Sequence, residues 1–233
     1  MLPGEPHDSR PISLSTFVYR TLLERIATGA FPAGGRIVID QIAIELRVSL
    51  IPVREALARL NAEGLVEHQP NKGYRVTAAP ATRDYRELYL ARLVLEFGAI
   101  RQSGDTVSAP ELQRLRDINA KIAALKPSKT FRGFSRFVEL NDQFHAELVA
   151  LSQNKTLMEL YQKLAYGSRV ARGLQGRGIP DLRENVREHE AIIRALENHD
   201  KAAAAAAVER HIRAGMDRFL KDLSRRKSSL PTG

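Results

Sequence analysis

Among the residues of this chain that could do chemistry, its six histidines come first, and their surroundings differ. His145, His189 and His211 each stand within a stretch of helical periodicity, amid apolar neighbours, in ELNDQFHAEL, VREHEAII and VERHIRAGM. Three imidazoles brought together from three helices inside a bundle could hold a divalent metal. An oxygen ligand is at hand in Asn141, four residues before His145 on the same helix face, or in Asp142, three before it. Imidazole and oxygen donors together accept zinc, nickel or manganese. No HxxxH or HExxH pairing is present, and a single helical histidine is usually a satisfied core or surface residue. The three therefore support this reading jointly rather than singly. His7, His68 and His199 read as an arm residue, a strand residue and a helix-end residue. Cysteine is absent, which removes disulfides, thiolate ligands and a cysteine nucleophile. Glu188 and Glu190 flank His189, but one residue away on a helix they face elsewhere. The alternative reading, a metal-dependent enzyme using the three histidines, therefore lacks a placed base, and no enzyme is expected.

The elements that must position these residues are mostly helical. From Ser13, Leu14, Val18, Leu22 and Ile26 recur every four residues as one face of a helix, with Gly29 as its stop. FPAGGR over 31–36 is a turn, and Arg36–Val38 a short strand. Asp40 is expected to N-cap a short helix through Leu46, and Ser49 the next, with Pro52 in its first turn and Gly64 after its end. Leu65–Gln69 and Tyr74–Thr77 alternate as two strands around the Pro70–Gly73 turn. After a linker at 78–82 the pattern is helical throughout. Helices are expected over 85–102, 109–125, 132–152, 155–173, 181–198 and 201–223. The last contains six consecutive alanines, strong helix-forming sequence. The expected fold is mainly α: a winged helix-turn-helix over 13–77, then an all-helical antiparallel bundle of about six helices over 83–223. A flexible arm over 1–12 and a basic tail over 224–233 complete the reading.

In a winged helix-turn-helix the second helix of the pair lies in the major groove. Here it starts at Ser49, whose hydroxyl and following backbone N–H groups suit a phosphate. Arg54 lies early enough to reach a base edge or phosphate, Arg47 and Arg36 flank the turn, and Lys72 sits at the hairpin tip. Ser49 is equally an N-cap without DNA, Arg54 equally a surface pair with an acidic neighbour, and Lys72 equally a solvated turn residue.

Two segments resemble known families. FPAGGRI (31–37), VSLIPVREALARL (48–60), EGLV (63–66) and PNKGYRV (70–76) are similar to the DNA-binding domain of the GntR family of bacterial transcription regulators. That resemblance implies that Arg36, Ser49, Arg54 and Gly73 contact or shape a DNA interface. The family commonly has Arg or Lys where this chain has Leu50, a residue able to touch a thymine methyl but not to pair with guanine. LYLARLVLE (88–96), NDQFHAEL (141–148), EHEAIIRAL (188–196) and DKAAAAAAVERH (200–211) resemble the FCD effector-binding domain of the FadR branch. In many members an Asp four residues before the first of three histidines completes a metal site. The matching residues here are Asn141, His145, His189 and His211. Asn141 offers a neutral, weaker oxygen than carboxylate. Arg92, four residues before Glu96, is then a candidate clamp for the carboxylate of a small organic-acid effector, unless Glu96 takes it.

Composition is compatible with this. The net charge is +9, but residues 1–78 hold 9 Lys and Arg against 8 Asp and Glu, so bulk charge does not single out a nucleic-acid domain. No apolar run is long enough to span a membrane, and the N-terminus lacks the order of a signal peptide. The expectation is a cytoplasmic homodimer that binds a double-stranded operator, with repression as its sense and no membrane partner. A constitutive architectural DNA binder would have no use for a large helical domain with inward histidines.

Overall fold

The computed structural model describes residues 13–70, 72–78, 82–126, 131–174 and 182–228. The chain divides into two compact units, Met1–Thr77 and Ala78–Gly233. The arm expected over 1–12 and the last residues of the tail, 229–233, lie outside the described residues.

The first unit holds α1 (Leu14–Ala27), β1 (Arg36–Ile37), α2 (Ile39–Leu46), α3 (Leu50–Ala62), β2 (Val66–Gln69) and β3 (Gly73–Val76). Its core is the apolar face of α1, with Val18, Leu22 and Ile26, closed by Ile42 of α2 and by Val53, Leu57 and Leu60 of α3. Ser13 caps α1, its hydroxyl accepting from the Thr16 N–H at 3.2 Å. The expected cap at Asp40 is not made: α2 starts behind Val38, and Asp40 lies inside the first turn, where its charge suits the helix dipole. Gly64 follows α3 at φ +65°, the left-handed conformation that ends it. The sheet is antiparallel in the order β1-β3-β2, so the wing hairpin β2–β3 is anchored by the strand that precedes the helix pair.

The second unit is helical throughout its described residues: α4 (Thr82–Gln102), α5 (Ala109–Ala123), α6 (Phe131–Ala150), α7 (Lys155–Leu174), α8 (Leu182–Glu197) and α9 (Lys201–Ser228). Its main core runs through Leu93, Ile100, Leu115, Phe144, Leu148, Ile192, Ile193, Val208 and Ile212. At the start of α5, Glu111 accepts from both the backbone N–H (2.8 Å) and the hydroxyl (2.6 Å) of Ser108. Two boundaries differ from expectation. α4 already begins at Thr82, inside the stretch read as linker, with Asp84 in its first turn. α9 runs on to Ser228, through the first half of the stretch read as a tail, because SRRKS contains no helix breaker and Leu223 is buried just before it. Asp181, the expected cap of α8, lies outside the described residues.

Candidate functional site

The three histidines of the helical unit come together. His145 from α6, His189 from α8 and His211 from α9 are buried, and one ring nitrogen of each lies within 4.8 Å of the others. Each ring is held from behind through Nδ1. His145 Nδ1 is 2.6 Å from Glu96 Oε2 of α4, His211 Nδ1 is 2.7 Å from Glu188 Oε2 of α8, and His189 Nδ1 is 3.2 Å from Asn119 Oδ1 of α5. Oxygen acceptors at Nδ1 select the tautomer that carries its proton there, which leaves Nε2 as a lone pair. Those lone pairs face one another. His145 Nε2 and His211 Nε2 are 3.0 Å apart, and His189 Nε2 is buried with no hydrogen-bond partner. Phe144 fixes the plane of His189 by stacking on it, ring centroids 3.7 Å apart and 5° from parallel. Three converging acceptor nitrogens with their orienting oxygens already in place are the donor set that a divalent cation requires, so the residues fit a metal.

Asn141, one turn before His145, is buried with its Oδ1 unpartnered. Asp142 is also buried but is not part of the histidine group; its charge acts on Arg92 instead. Arg92 is buried, and its Nε donates to Glu96 Oε1 at 2.5 Å, so the intrahelical pair with Glu96 is made. That pair does not exhaust the guanidinium, because Nη2 remains buried without a partner. Burial opposes the charge on Arg92, but the Glu96 carboxylate outweighs it and keeps the group firmly protonated. Glu188 faces away from His189, as expected, and meets another histidine. Its partner is His211, and its two oxygens also accept from Arg218 Nη1 and Nη2, each at 2.7 Å. Burial pushes its carboxyl up, but the Arg218 and His211 hydrogen bonds prevail and hold it at about 2. Neither Glu188 nor Asn119 could be found from spacing, since both act across helices.

The first unit presents a different chemistry. Arg36, Arg47, Arg54 and Lys72 are exposed and have no acidic partner among the described residues, whereas Arg25 is tied to Glu45 and Arg59 to Glu63. The alternative for Arg54, a surface pair, is not found. Ser49 occupies the N-cap position of α3 at ψ 169°, yet its hydroxyl makes no capping bond, so the expected cap hydrogen bond is absent and the group is available. Leu50 is 39% exposed and Ile51 68% at the start of α3. Gly73 opens β3 at φ +83°, and a Cβ there would lie 3.5 Å from the Ile37 carbonyl oxygen. One residue was missed. Arg75 pairs in register with Arg36 across β1 and β3, placing two exposed cations side by side. Like charges directly opposite destabilise a sheet; Arg75 also lies opposite Glu67 of β2, and the arrangement is visible only once β1 is known to pair with β3.

Comparison with known proteins decides what the two units are. Residues 14–76 match the bacterial regulatory proteins of the gntR family, and residues 87–214, more than half of the chain, match the FCD domain. The chain belongs to the GntR family of transcriptional regulators. As a GntR regulator it binds DNA through the first unit, and it is not an enzyme. It is 29% identical over 197 residues to the Nta operon transcriptional regulator of Aminobacter aminovorans, covering 82% of this chain and 87% of that one. Against the HTH-type transcriptional regulator McbR of Escherichia coli it is 24% identical over 194 residues, covering 82% and 85%. Its fold is that of a GntR regulator from Rhodococcus sp. RHA1, with a TM-score of 0.65 and 23% identity over 90% of this chain and 99% of that one. No helix among the described residues is long and apolar enough to cross a membrane.

Burial of the imidazoles sets a pH dependence. His189 lies well below the ordinary 6.5 because burial disfavours its charged form, and the neighbouring His211 and His145 add to this. His211 is lowered by burial too, with the Glu188 hydrogen bond opposing. Both take up protons on unfolding below pH 6.5 but not in the fold, so acid favours the unfolded state. For protein stripped with a chelator, the denaturation midpoint is expected to fall as the pH drops from about 7.5 to about 5.5, and His189→Gln to flatten that slope. A midpoint independent of pH across this window would show that these rings are not held neutral.

Proposed function

We propose that this GntR regulator reads a two-fold operator as a cytoplasmic homodimer and that a small organic acid, bound in the FCD domain beside a divalent metal, changes its affinity for DNA. The observation that carries the proposal is the set of three buried imidazoles, each with Nδ1 already engaged by an oxygen acceptor and Nε2 turned inward. His145, His189 and His211 would hold zinc, nickel or manganese, with Asn141 as the weaker oxygen ligand. A cation bound there supplies a Lewis-acidic centre with positions left for a carboxylate. Arg92 Nη2 would take the same acid's second oxygen. The effector acts by binding one arrangement of the dimer better than another; repression is the proposed sense. The proposed organisation keeps the DNA-binding domain at 13–77 and the effector domain from Thr82 onward, joined by the short linker that starts at 78.

On the DNA side, Ser49, Leu50 and Arg54 would face the major groove, Arg36, Arg47 and Arg75 the backbone, and Lys72 with Gly73 the wing contact. Arg54→Ala is expected to weaken specific binding by about 1–3 kcal/mol, and Lys72→Ala to weaken all duplexes alike. A mobility-shift series across pooled sequences checks this; unchanged binding in both variants removes the assignment of α3 and the wing as the reading surface.

For the metal, elemental analysis of protein purified without a histidine tag is expected to find about one divalent ion per chain, lost in His189→Ala and held more tightly in Asn141→Asp. No ion in the wild type, and no rise in melting temperature on adding zinc, nickel or manganese, would leave the histidines as polar groups of an organic-acid pocket.

Support for a homodimer comes from α4. Leu90, Val94 and Phe97 are exposed at i, i+4 and i+7, an apolar stripe along α4. A second copy of the same stripe would complete it as a self-complementary contact. Val94→Asp is expected to give a monomer by analytical ultracentrifugation with its metal content unchanged. A dimer that persists in this variant places the interface elsewhere.

A further inference from the structure

Two large apolar side chains stand in solvent at the start of α3. Leu50 and Ile51 are exposed, whereas Pro52, Val53, Ala56, Leu57 and Leu60 turn into the core. The inward face of the helix is thus complete without them. At about 100° per residue, Ile51 falls in the middle of the outward arc and Leu50 at its edge. Arg54 adjoins both on that arc, at i+3 from Ile51 and i+4 from Leu50. Arg54, and Arg47 in the turn before α3, are exposed with no acidic partner among the described residues. The apolar pair therefore continues the cationic surface that the DNA-binding unit offers to a duplex.

A single exposed leucine needs no explanation. Two adjacent apolar residues on the first turn of this helix do, because Leu50 to Val53 include no polar side chain. Base edges covered by that turn lose water and receive no side-chain hydrogen bond in return, which is costly for a donor or acceptor. In the major groove guanine, adenine and cytosine are told apart by donors and acceptors, whereas thymine adds a C5-methyl. That methyl is the one feature of the groove whose burial against isoleucine and leucine is favourable.

We infer that Ile51, with Leu50 beside it, reads the C5-methyl of a pyrimidine in the major groove, so that each half-site carries thymine beneath the first turn of α3. This rests on α3 as the reading helix, proposed above, and assigns part of its specificity. Discrimination at this position comes from the methyl and not from hydrogen bonding, since neither side chain can give or take a hydrogen bond. The thymine O4 takes no part, and 5-methylcytosine, which carries the same methyl, satisfies the same contact. Arg54 follows on the same face, one turn further along the helix.

The test uses duplexes built on the sequence that the full-length protein selects from a random pool. Deoxyuridine, which is thymidine without the methyl, replaces each thymidine of the half-site in turn. At one position the affinity of the wild type is expected to fall about three- to five-fold per half-site. At that position cytosine binds weakly, and 5-methylcytosine is expected to recover a factor of the same size. The double variant Leu50→Ala, Ile51→Ala is expected to bind the thymidine and deoxyuridine duplexes equally. Its melting temperature is expected to hold, because both side chains are exposed and alanine suits a helix. A selected half-site without thymine, no loss at any thymidine, or a loss that 5-methylcytosine does not mirror overturns the inference. So does a loss that persists in the double variant, which marks a response to duplex shape rather than a side-chain contact. Arg54→Ala, measured alongside, separates the two levels. If it weakens specific binding while no methyl effect appears, α3 still reads the operator and the methyl contact alone falls. If Arg54→Ala and the double variant both leave specific binding unchanged, α3 is not the reading helix and both readings fall.

Discussion

His145 Nε2 and His211 Nε2 lie 3.0 Å apart, so close that the two nitrogens must share a proton or a cation between them. Much of the helical unit is arranged around that constraint. The rings are driven to this state by oxygen partners on their far sides, and those partners come from α4, α5 and α8. The carboxylates among them are neutralised in turn, Glu96 by Arg92 and Glu188 by Arg218. A charged shell thus surrounds a neutral donor set, and the apolar core through Phe144, Leu148, Ile192 and Ile212 keeps water from it. Removing one carboxylate would release a ring and leave an arginine unpaired in a buried or half-buried place, where an unmatched charge is costly.

The DNA-binding unit solves the opposite problem. Its cations are kept on the surface and kept free. Arg25 and Arg59 are spent on holding α1 to α2 and on closing α3 against Tyr19, whose ring lies 3.8 Å from the Arg59 guanidinium. Among the cations left over, Arg36, Arg47, Arg54 and Lys72 lie on β1, the turn after α2, α3 and the β2–β3 hairpin, and Arg20 lies on α1. Net charge near zero over this unit therefore conceals a sorted distribution, in which acidic side chains neutralise structural arginines and leave the others alone.

Periodicity made most of the helices legible, because each buries one face against a neighbour: Val18, Leu22 and Ile26 are one example, Leu57 and Leu60 another. The grouping of the three histidines was legible through their resemblance to the FCD pattern. What escaped depends on register between elements. Asn119 and Glu188 serve histidines on other helices, and Arg75 meets Arg36 and Glu67 only across the sheet. Local rules also yielded where a better option existed. Ser49 has the residue type and position of a cap but leaves its hydroxyl unused, and Asp40 sits within its helix rather than ahead of it.

The length of α9 has a mechanical consequence. Its start is pinned, with Asp200 accepting from the Ala203 N–H at 2.8 Å and Lys201 reaching Asp105 at 2.9 Å. Its 28 residues span about 42 Å at 1.5 Å per residue. His211 lies roughly 16 Å from that pinned start and Ser228 at the far end. Were α9 to pivot there as a straight rod, a sideways displacement at His211 would reach Ser228 magnified by about 2.5, against the packing of Phe219 and Leu223 on Tyr85. A movement of about 0.5 Å at the histidine would in this way become one of about 1.3 Å at the end of the helix.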